Sequence, residues 1–168
     1  KQELKHFRDA ATFVHGNFSD LQDIVMSLNV LQGDGILFDL GVSSYQLDEP
    51  ERGFSYMEDG PLDMRMGQGT GPSARDLVNN LPAEEIADIL KIYGEERWAV
   101  RIAEFIVRRR DKAPIVTTGE LVDIVKAAIP ARARRSGPHP ARRTFQALRI
   151  AVNHELDELH EGLDQAIR

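Results

Sequence analysis

The sequence predicts an α/β protein in which a helical part follows a smaller part made of strands and a helix. The first third of the 168-residue chain alternates short β-prone runs with an amphipathic helix, an order that favours a parallel crossover. The apolar run at residues 36–38 ends on the carboxylate of Asp39 and opens into a loop of small residues. From residue 73 onward, apolar residues recur every three or four positions, which predicts helices. The predicted boundary between the two parts lies near residue 70.

The α/β part is predicted to begin with a short strand at residues 11–14. Asn17 or Ser19 is placed to cap a helix over residues 20–28. The apolar face of this helix is formed by Leu21, Ile24, Val25 and Leu28. A second strand is predicted at residues 36–39. The stretch that follows, residues 40–73, has little periodicity, and loops of such length in compact domains are usually functional or disordered. This stretch also contains charged residues, methionines and phenylalanines, which favour a folded, functional loop.

The helical part carries recognisable start and stop signals. Ser73 is placed to cap a short helix, and Pro82 to begin a helix that stops at Gly94. A further helix is predicted over residues 95–110, and Thr117 begins a capping-box pattern ahead of the next one.

The last helix is predicted to start near Pro140 and to continue without a break. Its apolar positions repeat at spacings of three and four. They are Phe145, Leu148, Val152, Leu156, Leu159, Leu163 and Ile167.

Composition narrows the function classes. The chain has no cysteine, so it has no disulfide framework and no thiolate metal site, and this is consistent with a reducing cytosol. No apolar run approaches the ~20 residues that span a bilayer. The histidines show no metal-ligand spacing. We therefore expect a cytoplasmic protein without a metal site and without a membrane partner.

The charge pattern leaves a nucleic-acid partner open. The net charge of −6 argues against such a partner when taken alone. Basic residues are nevertheless concentrated in two stretches: Arg97, Arg101, Arg108, Arg109, Arg110 and Lys112, then Arg132, Arg134, Arg135, Arg142 and Arg143. Local field rather than net charge governs phosphate contacts, so a basic patch on an acidic protein still binds phosphate.

Asp39 is the leading candidate for a functional side chain, because ligands of α/β sheets bind at the carboxyl ends of strands. A carboxylate beside the hydroxyls of Ser43 and Ser44 has the chemistry to accept hydrogen bonds from an amine and to orient it. It is equally suited to hold a charged group of a cofactor. The plainer interpretation is that Asp or Ser only caps the next helix. The residues alone leave these alternatives open.

Several motifs resemble the RsmH (MraW) family. They are Asp-Leu-Gly-Val-Ser-Ser at positions 39–44, the segments at 51–56 and 59–66, and His-Pro-Ala-Arg-Arg-Thr-Phe-Gln-Ala-Leu-Arg-Ile at 139–150. The resemblance implies an S-adenosylmethionine-dependent methyltransferase that modifies the N4 amino group of a cytosine in small-subunit (16S) ribosomal RNA. It also implies a Rossmann-like class I methyltransferase sheet with an inserted all-α helical domain.

The domain organisation implied by the resemblance has three segments. Residues 1–70 are expected to form part of the α/β domain that binds S-adenosylmethionine. Residues 71–155 are expected to be the helical insertion that recognises the substrate. Residues 156–168 are expected to be the end of the long helix as it returns to the α/β domain.

The resemblance also implies site residues. Phe18, Asp39 and Gln46 match the family's pattern of cofactor contacts, and Asp39 is the expected catalytic residue. The residues expected to contact substrate RNA are Ser43, Ser44, Arg65, Arg142 and Arg143. The expected partner is ribosomal RNA or the small ribosomal subunit.

Each of these residues has a plainer interpretation. Phe18 is also suited to the core, and Arg65 to an internal salt bridge with Asp63 that staples its loop. Arg142 and Arg143 lie in the first turn of a helix, where positive charge is unfavourable, so their side chains are expected to face an acidic group or a phosphate. The rival function is a non-catalytic, arginine-rich helical module that binds RNA or protein; a metal hydrolase is the least favoured class.

The resemblance further indicates that the chain corresponds to the central part of such an enzyme. The family opens with a strand and a Gly-Gly-His-Ser-type loop that cradles the cofactor. It closes on a strand ending in Ser-Phe-His-Ser-Leu-Glu-Asp, and neither motif is present. We expect the 168 residues alone to bind S-adenosylmethionine weakly or not at all and to be inactive.

Overall fold

The computed structural model describes residues 10–30, 32–67, 71–135 and 137–167. The chain divides into two compact units. The first unit consists of Lys1–Asp39 with Leu156–Arg168, and the second consists of Leu40–Glu155.

The first unit contains the helix predicted near its beginning. A 3-10 turn, Phe18–Asp20, leads into helix α1, Leu21–Ser27. The Asn17 side chain accepts a hydrogen bond from the Ser19 backbone N–H at 3.3 Å, so Asn17 caps the 3-10 turn. Helix α1 itself follows Asp20, which makes no side-chain capping hydrogen bond, so neither Asn17 nor Ser19 caps it directly.

The structure forms no strand at residues 11–14 and 36–39, where the sequence predicts one. The residues that it describes contain one isolated bridge, between Pro61 and Thr117, and no strand ladder. A strand is held by hydrogen bonds to a neighbouring strand, and no described segment pairs with these two runs. Leu37 is accordingly 93% exposed instead of packed in a sheet.

The described part of the second unit is helical. Its elements are α2 (Ser44–Asp48), a 3-10 turn (Pro50–Arg52), α3 (Ala74–Asn80), α4 (Ala83–Gly94), α5 (Ala99–Arg110), α6 (Thr118–Ala128), α7 (Ala131–Arg134) and α8 (Arg142–Asn153). The predicted caps at Ser73 and Thr117 are confirmed, because both side chains form capping boxes with the residue three positions on. Helix α5 begins at Ala99 rather than at residue 95, since Glu95 adopts a left-handed conformation with φ of 48°.

The core of the second unit lies among α4, α5, α6 and α8. Its largest fully buried side chains include Ile86, Leu90, Ile102, Ile106, Leu121 and Leu148. The segment that precedes α3 also contributes, with Leu62 1% exposed and Met64 0% exposed. The loop is therefore folded, as predicted, and residues 40–67 pack with the helices that follow them.

The final helix is broken, which corrects the prediction of one continuous helix from Pro140. Helix α8 ends at Asn153, His154 takes φ of 49°, and α9 runs over Glu155–Ile167. Asn153 explains the break. Its Oδ1 accepts from the Met66 N–H at 2.6 Å and its Nδ2 donates to the Met64 carbonyl at 2.7 Å. These contacts hold the end of α8 against the preceding loop.

An ion pair spans the break between the two helices. Arg149 Nε donates to Glu155 Oε1 at 2.7 Å, and Arg149 NH2 donates to Oε2 at 2.9 Å. A bidentate pair of this kind has a defined geometry. It therefore holds the start of α9 against the last turns of α8.

Among the helices of the described ranges, none is both long enough and apolar enough to span a membrane.

Candidate functional site

Asp39 and Phe18 both belong to the first unit. Asp39 is exposed, and it forms no ion pair within the described residues. The half-buried Phe18 ring meets the Phe38 ring edge-to-face, with centroids 5.8 Å apart. A Cβ atom on Gly162 would lie 2.8 Å from Phe18 Cδ2, so the glycine leaves room for the ring. The structure thus brings Phe18 beside the residue that precedes Asp39, and it gives Phe18 a packing role as well.

Ser43 and Gln46 form a capping box at the start of α2. Gln46 Oε1 accepts from the Ser43 N–H at 3.0 Å and from Ser43 Oγ at 3.1 Å, while Ser43 Oγ accepts from the Gln46 N–H at 3.3 Å. The helix-cap interpretation of Ser43 is confirmed. Gln46 Nε2 makes no hydrogen bond within the described ranges, so this amide donor is available to a ligand. Ser44 is exposed in the first turn of the helix.

The loop before α3 is held by its own charges. Arg65 forms a bidentate ion pair with Asp63, with Nε to Oδ1 at 2.8 Å and NH2 to Oδ2 at 2.6 Å. Arg52 NH2 donates to the carbonyls of Arg65 and Met66 at 2.8 and 3.1 Å. The internal salt bridge, stated above as the alternative for Arg65, is present. The Arg65 hydrogen bond to Asp63 lowers the pKa of that carboxyl below its usual value.

This pair predicts an acid-sensitive contribution to stability. Because the pKa of Asp63 is lower in the folded chain than in the unfolded chain, the contribution is complete above the unfolded value of about 3.9 and declines as the pH falls through the folded value. We expect Asp63→Asn to be less stable than wild type at pH 7, with the difference shrinking toward pH 3. Urea unfolding at both pH values measures this.

The exposed Asp88 of α4 offers a matched control, since it forms no ion pair within the described residues. Asp88→Asn is expected to follow the wild-type pH profile. A stability difference between Asp63→Asn and wild type that is the same at pH 3 and pH 7 would contradict the prediction.

A groove of about 290 Å³ lies beside the segment that contains Ser43 and Gln46. We call it the motif groove. It is lined by Val42, Leu47, Phe54, Tyr56, Arg142, Phe145, Gln146 and Arg149. The Tyr56 and Phe145 rings meet edge-to-face at 5.8 Å, and Tyr56 also stacks on His139 at 4.8 Å. Phe54 and Phe145 are buried and Arg149 is paired with Glu155, so the half-buried Tyr56 ring and the exposed Arg142 are the groups that the groove offers. An aromatic ring beside a cationic group suits a planar, partly polar ring of nucleobase size.

Arg142 and Arg143 have different surroundings. Arg143 NH1 donates to the Glu95 carbonyl at 2.7 Å, at the C-terminal end of α4. The negative group that it faces is therefore the carbonyl end of a helix, which attracts cations. Arg142 is exposed, lines the motif groove and forms no ion pair within the described residues.

A comparison with known protein families finds a match to the whole chain. A family model described as the MraW methylase family matches residues 1–168. The chain belongs to this family. The resemblance carried by residues 39–66 and 139–150 is thereby confirmed and extends over the whole chain.

Curated relatives agree with the family assignment. The chain is 58% identical over 165 residues to ribosomal RNA small subunit methyltransferase H of Symbiobacterium thermophilum, covering 98% of this chain and 52% of the relative. It is 56% identical over 167 residues to the protein of that name from Brevibacillus brevis, covering 99% and 53%. The protein of that name from Clostridioides difficile is 52% identical over 166 residues, with 99% and 53% covered. The chain spans about half the length of the curated relatives that it matches.

The described residues contain no group of three or more His, Asp or Glu side chains placed to hold a metal ion. They do contain an arrangement that the sequence analysis did not predict, although it named Arg97 and Arg134 among the basic residues. Arg97, Trp98 and Arg134 line a second cleft of the second unit. Trp98 lies on an apolar stripe in the sequence and packs partly against the core. No spacing in the sequence indicates that its half-exposed ring adjoins these arginines.

Proposed function

We propose that the complete protein is an S-adenosylmethionine-dependent methyltransferase acting on the N4 amino group of a cytosine in small-subunit ribosomal RNA. The observation that carries this proposal is 52–58% identity, over nearly the whole chain, to proteins named ribosomal RNA small subunit methyltransferase H. We further propose that residues 1–70 and 156–168 belong to a Rossmann-like α/β domain and residues 71–155 to a helical insertion.

Asp39 is the proposed catalytic residue. The lone pair of an exocyclic cytosine amine is delocalised into the ring, so the amine is a poor nucleophile. A carboxylate that accepts its N–H hydrogen bonds orients the nitrogen and stabilises the positive charge that develops there. The exposed Asp39 side chain, without an ion pair in the described part of the chain, is available for this role.

The chemistry of the predicted cofactor residues fits S-adenosylmethionine, which supplies an electrophilic methyl group when bound. Asp39 provides a negative charge for a cationic ligand, and Phe18 provides an aromatic surface for an adenine ring. Gln46 provides its Nε2 donor, which takes no part in the capping box. These are the roles that we propose for the three residues.

The motif groove is the proposed contact for the substrate base. Its half-buried Tyr56 ring favours a nucleobase, and Arg142 adds a positive charge for the RNA backbone. A base must leave its stack to enter such a groove, so the target cytosine is expected to be unpaired in ribosomal RNA. The further proposed RNA contacts are Ser43, Ser44, Arg65 and Arg143.

Nucleoside mass spectrometry of small-subunit ribosomal RNA tests the proposed function. We expect N4-methylated cytidine to disappear when the gene for the complete protein is deleted and to return with the wild-type gene. A modification profile that the deletion leaves unchanged would refute the substrate assignment.

Gln46 offers a test that separates cofactor binding from folding. Gln46→Glu keeps an oxygen for the capping box but replaces the Nε2 donor with a negative oxygen. We expect the Kd for S-adenosylmethionine of the complete protein to rise about tenfold or more, since a lost charge-assisted hydrogen bond costs about 1.5–3 kcal/mol. Titration calorimetry measures the Kd, and thermal unfolding checks the fold.

The exposed Gln22 of α1 provides a control, because its side chain makes no hydrogen bond within the described residues. Gln22→Glu is expected to leave the Kd unchanged. An unaltered Kd in Gln46→Glu would remove Gln46 from the proposed cofactor contacts.

A further inference from the structure

A cleft of about 540 Å³ lies between the C-terminal end of α4, the start of α5, α7 and the first turn of α8. We call it the arginine cleft. Its aromatic and cationic lining consists of Tyr93, Arg97, Trp98, Arg134, Arg142 and Arg143. All of these residues belong to the second unit, so the cleft lies within one compact body.

The cationic groups of the cleft are not neutralised by carboxylates. Arg97, Arg134 and Arg142 are exposed and take part in no ion pair within the described residues. The lining also includes two glutamates, which the four arginines of the lining outnumber. Glu95 is exposed and forms no ion pair within the described residues, whereas the side chain of Glu96 is directed at the backbone. It is 7% exposed, and its Oε1 accepts from the Trp98 N–H at 2.9 Å. Like charges that share a concave surface repel one another unless an anion binds between them.

A second groove of the same unit contains arginines that are paired with carboxylates. The groove between α5 and α6 is also lined by arginines. There Arg109 pairs with Glu120 at 2.9 Å, and Arg108 pairs with Glu104 at 3.6 Å. Unpaired arginines therefore distinguish the arginine cleft from the groove between α5 and α6.

An aromatic surface accompanies this charge. Trp98 and Tyr93 are both half-buried in the wall of the cleft. Arginines that follow a phosphate backbone, combined with an aromatic ring on which a base stacks, are the common means of binding single-stranded RNA. The volume of the cleft is in the range that holds a nucleotide-sized ligand.

The arginine cleft adjoins the motif groove. Arg142 and Gln146 line both, because they lie one turn apart on α8. A strand whose target base occupies the motif groove would pass Arg142 and reach the cleft with its next nucleotides.

We propose that the arginine cleft binds the single-stranded ribosomal RNA next to the target cytosine. Arg97, Arg134 and Arg142 contact its phosphates, and one base stacks on Trp98. This inference rests on the proposed function, because it takes RNA as the substrate. The role of the arginine cleft is to position the RNA, since phosphate contacts fix the register of the RNA without reading its sequence.

The test is the double variant Arg97→Ala/Arg134→Ala in the complete protein. Both side chains are exposed, so the fold is expected to persist. Binding of a single-stranded RNA oligonucleotide that carries the target cytosine is measured by fluorescence anisotropy at several salt concentrations. We expect affinity to fall roughly tenfold or more. The slope of log K against log salt should decrease by about 1.4, since each phosphate contact on a single strand contributes about 0.7.

Arg101→Ala/Arg108→Ala is the matched control. It removes the same charge from exposed arginines that lie over the Phe105 ring, outside the cleft. We expect it to bind the oligonucleotide within about twofold of wild type. Equal losses in the two double variants would overturn the inference, because they would show a charge effect without a site. Wild-type binding by Arg97→Ala/Arg134→Ala, or no measurable binding by the wild-type protein, would also overturn it.

Methylation of small-subunit ribosomal RNA by the wild-type protein is followed in parallel. If it occurs while the cleft variant binds RNA as wild type does, the inference is wrong and the proposed function stands. If methylation is absent but RNA binding depends on the cleft, the cleft is an RNA site and the proposed function is wrong.

Discussion

Asp39→Ala in the complete protein is expected to lower the rate of methyl transfer by about a hundredfold to a thousandfold, the usual cost of one lost electrostatic contact to the reacting group. Without the carboxylate, nothing at this position accepts the N–H hydrogen bonds of the amine. RNA affinity is expected to stay unchanged, because a negative charge contributes nothing to phosphate binding. Single-turnover methylation and RNA binding, measured on the same preparation, test both statements.

Asp34→Ala provides the control for this prediction. Asp34 is also an exposed aspartate of the first unit, and it forms no ion pair within the described residues. Its replacement is expected to leave the rate within about twofold of wild type. A rate that Asp39→Ala does not reduce, together with loss of RNA binding on replacing Arg142 and Arg143, would instead favour the non-catalytic binding module.

Gly53→Ala is expected to destabilise the second unit by about 2–5 kcal/mol, the sum of a left-handed backbone penalty and a steric one. Gly53 has φ of 70°, and a Cβ at this position would lie 2.1 Å from the Pro61 carbonyl oxygen and 2.7 Å from the Asp63 nitrogen. Both obstacles are backbone atoms, so they cannot rotate away. The change therefore displaces the loop that carries the buried Leu62.

Gly71→Ala is a control that separates the backbone penalty from the steric penalty. Gly71 also has a positive φ, of 83°, but no atom of the described residues lies within 4 Å of the position that its Cβ would take. Only the backbone term applies, and we expect a loss of about 1–2 kcal/mol. Urea unfolding followed by Trp98 fluorescence measures both variants, since Trp98 is the only tryptophan of the chain. Equal losses of unfolding free energy in Gly53→Ala and Gly71→Ala would contradict the prediction, because they would show that the loop relieves the steric contact without cost.

Much of the candidate site could be predicted from the sequence because its motifs are contiguous. The run at positions 39–44 and the segment at 139–150 carry the family resemblance by themselves. The roles of single residues were harder to predict. Ser43 and Arg65 have side chains that suit both a ligand and a local partner, and the structure shows the local partner in both cases.

The predicted strands depend on hydrogen bonds to other segments, which the sequence does not record. A β-prone run states a preference, but a strand exists only when another segment supplies its hydrogen bonds. Residues 36–39 have that preference and find no such partner among the described residues. The Rossmann-like sheet consequently remains part of the proposed function.

The helix starts at Ser73 and Thr117 follow from the sequence, because a capping box is a contact between residues three positions apart. The break of the last helix at His154 depends on contacts between distant segments. The hydrogen bonds that hold the break join Asn153 to Met64 and Met66, 89 and 87 positions away. The convergence of Arg97 and Arg134 on one cleft likewise depends on how α4, α5, α7 and α8 pack. Local patterns record neighbours along the chain, whereas such contacts exist only after distant segments have met.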